Sequence, residues 1–277
     1  MANVKKFDPV SESRPKQAIF AESFKTHPKR LVIMTEGDSW FSYPINRNIV
    51  DYLEMMNDFT ILRLEHSGDE ARAILKKGGE QMKRMRDYLK RYPFALLMFS
   101  GGGNDIVDEN LKTLLLDKQP GTGWLDCIDQ PALQARLDEI EAAYWRLLEM
   151  RDEVCPKCVV VAHCYDYVVP MNRPAKSAFG LLTVGPWIWP RLVEKGIDPK
   201  TEGIFIVRHL IDEFHARLAE IAATPGSKFH VVDTRRTLIP ADPIQWADEM
   251  HPSGVGAELL ARQWRLVLAQ LFPGKGF

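Results

Sequence analysis

Short apolar runs rich in β-branched residues alternate along this chain with longer stretches in which apolar residues recur at helical spacing. The run at 31–35, bounded by Gly37, predicts a buried strand. Helical spacing over 45–56 is followed by a second strand at 59–64. Residues 71–92 are charged and amphipathic, and Gly78-Gly79 divides them into two short helices. A third buried strand at 94–99 stops at Ser100-Gly101-Gly102-Gly103. A long helix over 131–151 opens on Pro131, near its first turn. Strands at 158–163 and 230–233 and helices at 203–223 and 254–271 complete the pattern. The first thirty residues are polar and aperiodic and predict an irregular arm ahead of one domain spanning 31–277. Residues 170–201 are the least regular part of that domain.

Strands that alternate with helices imply an α/β protein whose parallel sheet is covered on both faces. In such sheets ligands bind beyond the carboxyl ends of the strands. Composition narrows the partners. Lys plus Arg number 36 and Asp plus Glu 37, a net charge of −1, so no basic excess offers phosphates a binding surface and nucleic acid is not expected. The longest apolar stretches fall far short of the roughly 18 residues of a membrane span. The N-terminal segment lacks the apolar core of a secretory signal, and four cysteines are too few for a disulfide scaffold, so a cytoplasmic location is expected.

The chemistry-bearing residues fall just after the strands. Gly37-Asp38-Ser39-Trp40 follows the first, His66-Ser67-Gly68-Asp69 the second, and Gly102-Gly103-Asn104-Asp105 the third. Asp248-Glu249-Met250-His251 directly precedes the last helix. A serine hydroxyl is a weak nucleophile that needs an imidazole to take its proton. The imidazole needs a carboxylate to fix its tautomer, and His251 lies three positions after Asp248, the reach of a single turn. An oxyanion needs preorganised donors, which a serine N–H, a glycine N–H and an asparagine side chain supply. Acyl transfer requires this inventory.

The four blocks, in this order, resemble those of the SGNH hydrolase superfamily, the GDSL-type esterases and lipases. The resemblance frames residues 37–251 and implies a flavodoxin-like three-layer sandwich, with a five-stranded parallel sheet between helices. It further implies Ser39 as nucleophile, His251 as base and Asp248 as its orienter. The Ser39 N–H, the Gly68 N–H and the Asn104 side chain would form the oxyanion hole, with no metal or cofactor. Trp40 stands where the family motif has leucine, and is expected to alter the pocket wall and leave the chemistry intact.

Competing readings of the same residues are plainer. Ser39 alone could cap a helix. The glycine run lacks the Lys-Ser/Thr of a phosphate loop, and no Gly-x-Ser-x-Gly elbow surrounds Ser39. Glu249 is the neighbouring rival to Asp248. Cys155-Pro156-Lys157-Cys158 suggests zinc or redox chemistry, but strand alternation puts Cys158 and His163 on opposite faces, so a loop and a buried strand are expected. His66 and His163 are expected as structural or pocket-wall residues. Phe179, Leu181, Leu182, Trp187, Ile188 and Trp189 make 170–201 either an apolar cap or a surface connection, with Trp40, Trp187 and Trp189 as candidate pocket residues. The expected activity is hydrolysis of a small or moderately apolar ester through an acyl-enzyme. Carbohydrate O-deacetylation and acyl transfer to an alcohol use the same constellation, and a binding protein on the same fold would not need the Asp–His pair.

Overall fold

A computed structural model describes residues 9–56, 58–176 and 183–275. In chain order the elements are α1 (Pro9–Thr26), β1 (Leu31–Gly37), α2 (Ser39–Ser42), α3 (Ile49–Glu54), β2 (Phe59–Arg63), α4 (Ala71–Ile74), α5 (Glu80–Arg91), β3 (Leu96–Ser100) and α6 (Glu109–Leu114). There follow α7 (Gln130–Val154), β4 (Val159–His163), β5 (Ala175–Lys176), β6 (Thr183–Val184), α8 (Trp189–Glu194), α9 (Glu202–Ala223), β7 (Phe229–Val232) and α10 (Gly254–Leu271). The main sheet runs β2-β1-β3-β4-β7 and is parallel throughout. β1 and β3 are buried along most or all of their length, which is why they read as continuous apolar runs. α3 packs on α10, while α5, α7 and α9 form a second contiguous layer, giving the three-layer α/β sandwich. β5 and β6 form a separate antiparallel hairpin within 170–201.

Two segments differ from the sequence-based expectation. The N-terminal segment contains α1 where an irregular arm is expected. Among the described residues this helix docks through an i, i+4 aromatic pair and one hydroxyl: Phe20 is buried, Phe20 and Phe24 both meet the Tyr92 ring edge-on, 5.0 and 5.2 Å between centroids, and Ser23 Oγ lies 3.0 Å from Thr60 Oγ1. So narrow a seam leaves almost no periodic signal. The helix expected from residue 45 begins at Ile49, because Asn48 and Asp51 form a reciprocal capping box that fixes its start.

β1 carries an unusual charge. Glu36 is fully buried, accepts from the Gly37 N–H at 3.1 Å and has an Arg84 nitrogen 3.4 Å away. Burial pushes its carboxyl up to about 8, against the pull of Arg84 and the Gly37 N–H. The folded state therefore keeps a proton that the unfolded chain releases near 4.5, and stability falls as pH rises from there to about 8. Glu36→Gln should remove that loss. Relative to wild type, the variant should gain about 2 kcal/mol between pH 6.5 and 8, measured by urea unfolding at both values. A pH-independent difference would mean that Glu36 is ionised throughout.

Candidate active site

The end of β1 and the end of β3 approach more closely than side chains permit. A Cβ on Gly37 would lie 2.1 Å from the Ser100 carbonyl oxygen, and the Asp38 N–H donates to that oxygen at 2.9 Å. Glycine at 37 is therefore required for this contact as well as for its φ of +146°. The chain then turns into α2, with Asp38 as its cap and Ser39 as its first residue. The Ser39 hydroxyl reaches His251 Nε2 at 2.8 Å. His251 Nδ1 in turn lies 2.9 and 3.0 Å from the two Asp248 oxygens.

Asp248 meets His251 through a closed loop in place of a helical turn. Trp246 pairs with Pro252, and the Ala247 N–H donates to His251 O at 2.8 Å. Asp248 Oδ1 accepts from the N–H groups of Met250 and His251 at 2.8 and 2.9 Å, the local side-chain bonding typical of aspartate in tight turns. Tyr43 completes the arrangement: its hydroxyl donates to Asp248 Oδ2, and its ring stacks on His251 at 4.1 Å. Burial alone would raise the Asp248 carboxyl, but the His251 hydrogen bond and charge, with Tyr43 and the Met250 N–H, hold it below the ordinary value. Asp248 is thus kept anionic beside an imidazole. Sequence reasoning missed Tyr43, which lies four residues beyond Ser39 and carries no motif.

Glu249 has a different partner set. Its buried carboxylate accepts four backbone N–H groups, from Met171, Trp187, Ile188 and Trp189, at 2.6–3.1 Å. Its own N–H donates to Arg173 O at 3.1 Å. Every one of these contacts lies in 170–201, so Glu249 fastens that segment to the loop carrying Asp248 and His251.

The donor loops converge beside Ser39. The His66 N–H donates to Gly37 O at 2.8 Å, and Ser67 Oγ to Ser42 O at 2.8 Å, docking the loop after β2 on the serine turn. Gly68 has φ +87°, which glycine adopts freely. Asn104 Nδ2 spends one hydrogen on Asp69 O at 2.9 Å and keeps a second. Among the described residues, the Gly68 N–H has no backbone acceptor, and the Ser39 N–H opens a helix and has none by geometry.

Ser39, Trp40 and Asn104 line an apolar recess of about 70 Å³. That is several times the roughly 10–15 Å³ that one water needs. Its walls come from Ile106, Val107 and Leu111 at the start of α6, from Val207, Leu210, Ile211 and Phe214 along α9, and from Val168, Ile188 and Met250. The apolar face of α9 and the short α6 were not legible as pocket elements in the sequence. Trp40 packs against the rings of His163, Tyr165 and Trp246. Trp187 stands outside the recess, edge-on to the His251 ring at 5.1 Å. Trp189 is also outside it and borders a separate groove with Val169, Met171, Asn172, Lys200 and Ile204. Of the three consecutive residues 187–189, whose backbone N–H groups Glu249 holds, Ile188 lines this recess. Phe179, Leu181 and Leu182 lie outside the described residues.

His163 is fully buried behind the site, where burial pushes its imidazole down to about 3 and keeps it neutral. It bonds Ser100 Oγ through Nε2 at 2.8 Å, so it is structural. His66 pairs loosely with Asp69 at 3.5 Å. Cys155 and Cys158 close a turn, Cys158 N–H to Cys155 O at 2.9 Å, before β4, and His163 ends that strand. Among the described residues the metal-ligand atoms of Cys164, His215 and Asp233 come within 4.8 Å of one another. They suit an ion poorly: Arg235 holds both Asp233 oxygens at 2.9 and 2.7 Å, and burial pushes the Cys164 thiol up to about 12.

The chain has the fold of the SGNH/GDSL hydrolases. It superposes on the lipase Lip_vut3 from a goat rumen metagenome with a TM-score of 0.55 at 16% identity, covering 85% of this chain and 96% of that one. A protein from Slackia heliotrinireducens provisionally described as an SGNH hydrolase matches with a TM-score of 0.51 at 15% identity, over 86% and 99% of the two chains. Est24, a carbohydrate acetylesterase from Sinorhizobium meliloti, matches with a TM-score of 0.50 at 12% identity, over 88% and 100%. No family model and no curated protein sequence matches the chain. Among the described residues no helix is long and apolar enough to cross a membrane.

Proposed function

We propose that this protein is a serine ester hydrolase that works through an acyl-enzyme. The observation that carries the reading is the chain Ser39 Oγ–His251 Nε2 at 2.8 Å and His251 Nδ1–Asp248 Oδ1 at 2.9 Å, opening on an apolar recess. In the first step Ser39 Oγ attacks the ester carbonyl while His251 takes its proton, and Asp248 holds the imidazolium. The developing oxyanion is received by the Ser39 N–H, the Gly68 N–H and the free hydrogen of Asn104 Nδ2. His251 then gives its proton to the leaving alcohol. In the second step His251 deprotonates a water that attacks the acyl-enzyme and restores Ser39. The similarity in fold to known esterases and lipases supports the same class of reaction. The substrate class is a small ester with a modest aliphatic acyl chain, because the recess beside Ser39 is apolar and bounded by Leu111 and Phe214.

A fluorophosphonate tests the reading. It should form one adduct per chain, mapped by peptide mass to Ser39, and block hydrolysis of short acyl esters. A protein that neither labels nor hydrolyses any acyl ester would sink it. Recess size gives a second expected result. Val207→Phe should fill space beside Leu210 and exclude about three methylenes of a longer acyl chain. At about 0.8 kcal/mol per methylene, this lowers kcat/KM for that ester on the order of 50-fold. The acetyl ester should change little, and an unaltered chain-length profile would place the acyl chain elsewhere.

A further inference from the structure

One phenol ties together the two residues that precede the proposed nucleophile and the proposed side-chain oxyanion donor. The Tyr165 hydroxyl donates to Asp38 Oδ2 at 2.5 Å and accepts from the Gly103 N–H at 3.0 Å. Asp38 is covalently joined to Ser39, and Gly103 to Asn104. These residues come from two different strand ends, so their spacing is not set by the local chain. From these contacts we infer that Tyr165 is a positioning residue that sets the distance between Ser39 and the Asn104 amide, an inference that rests on the ester-hydrolase reading.

The surroundings show that this phenol is held in place on every side. Tyr165 has φ +65°, a left-handed conformation that a bulky side chain rarely adopts. It is kept there by Thr234 Oγ1, which donates to Tyr165 O at 2.8 Å, and by its ring edge against Trp40 at 5.1 Å. A Cβ on Gly103 would lie 2.9 Å from the Tyr165 ring, so glycine is needed for the Gly103 N–H to reach the hydroxyl. The other end of the bridge is equally fixed. Asp38 Oδ1 accepts from Ser100 Oγ at 2.7 Å and from the Trp40 N–H at 3.0 Å. Since Ser100 gives its hydrogen to Asp38, His163 Nε2 is the donor to Ser100. Asp38 thus gathers the ends of β3 and β4 behind Ser39, and among the described residues Tyr165 is the side-chain partner that also hydrogen-bonds the backbone next to Asn104.

A hydrogen bond that sets donor geometry acts in the transition state, where a small displacement of a catalytic group costs up to about a hundredfold. Tyr165→Phe keeps the ring and removes both bonds. We expect kcat for a short acyl ester to fall about 10- to 100-fold with KM unchanged. Rates are expressed per Ser39 titrated with fluorophosphonate and read at low temperature, which confines the measurement to folded molecules. Ser100→Ala is the control, because it takes a donor from the same carboxylate and leaves the Tyr165 bridge to Gly103 in place, and its kcat should stay within about threefold of wild type. Normal kcat in Tyr165→Phe overturns the inference, as does an equal loss in both variants, which would make the network merely structural. A wild-type protein without labelling or turnover would instead overturn the ester-hydrolase reading itself.

Discussion

Ser39→Ala should lower ester turnover on the order of a millionfold, to the residual level that binding and oxyanion donors alone sustain. The size follows from the mechanism, since no acyl-enzyme forms without the hydroxyl and His251 is left with no proton to take. The fold should survive: Ser39 is buried but small, and its turn is set by Gly37 and the Asp38 cap, which the substitution leaves in place. Steady-state kinetics, a thermal melt and intact mass after fluorophosphonate treatment check the result together. Labelling of the folded variant at the wild-type rate would assign the nucleophile to another residue.

Asp248→Asn should cost about ten-thousandfold in kcat with little change in KM. The amide is close in size to the carboxylate and still accepts from the Met250 and His251 N–H groups through its oxygen, so the loop can close as before. What it loses is the charge that stabilises the imidazolium. The amide N–H group takes the place of Oδ2, 3.0 Å from Nδ1, and competes with the retained oxygen for that nitrogen, favouring the tautomer whose Nε2 presents a hydrogen to Ser39. Glu249 cannot stand in, because its carboxylate is already occupied by four backbone N–H groups. Turnover within tenfold of wild type in a folded Asp248→Asn protein would mean that another group orients His251.

The parts of this architecture that were legible in the sequence share a cause. A strand buried on both faces must be apolar along its length, so β1, β3 and β4 announce themselves, and parallel topology puts the residues that follow each strand on one edge. Ser39, Asn104 and the Asp248–His251 pair were therefore placed by position as much as by motif. The features that escaped are those set by contacts far apart in sequence. Tyr43 meets Asp248 and His251 only because the Asp248 loop folds back 205 residues later to reach it. α1 meets the domain through Phe20 and Phe24 on Tyr92 and through Ser23 on Thr60, contacts that do not repeat as an apolar period. Glu249 reads as a rival to its neighbour until its four donors are seen to come from 171–189. Ile188, between Trp187 and Trp189, reads as one more apolar residue of an irregular segment, and only the folded loop brings it into the recess lining.

The Glu249 clamp also ties 170–201 to the proposed base. Adjacent residues in one short loop perform two tasks, Asp248 bracing the base and Glu249 moored to the wall over the recess. Moving that segment as a whole would either strip four donors from a buried carboxylate or carry the loop of the proposed base along with it. The proposed base and the segment beside it share one foundation, so a change that loosens either one is felt by the other.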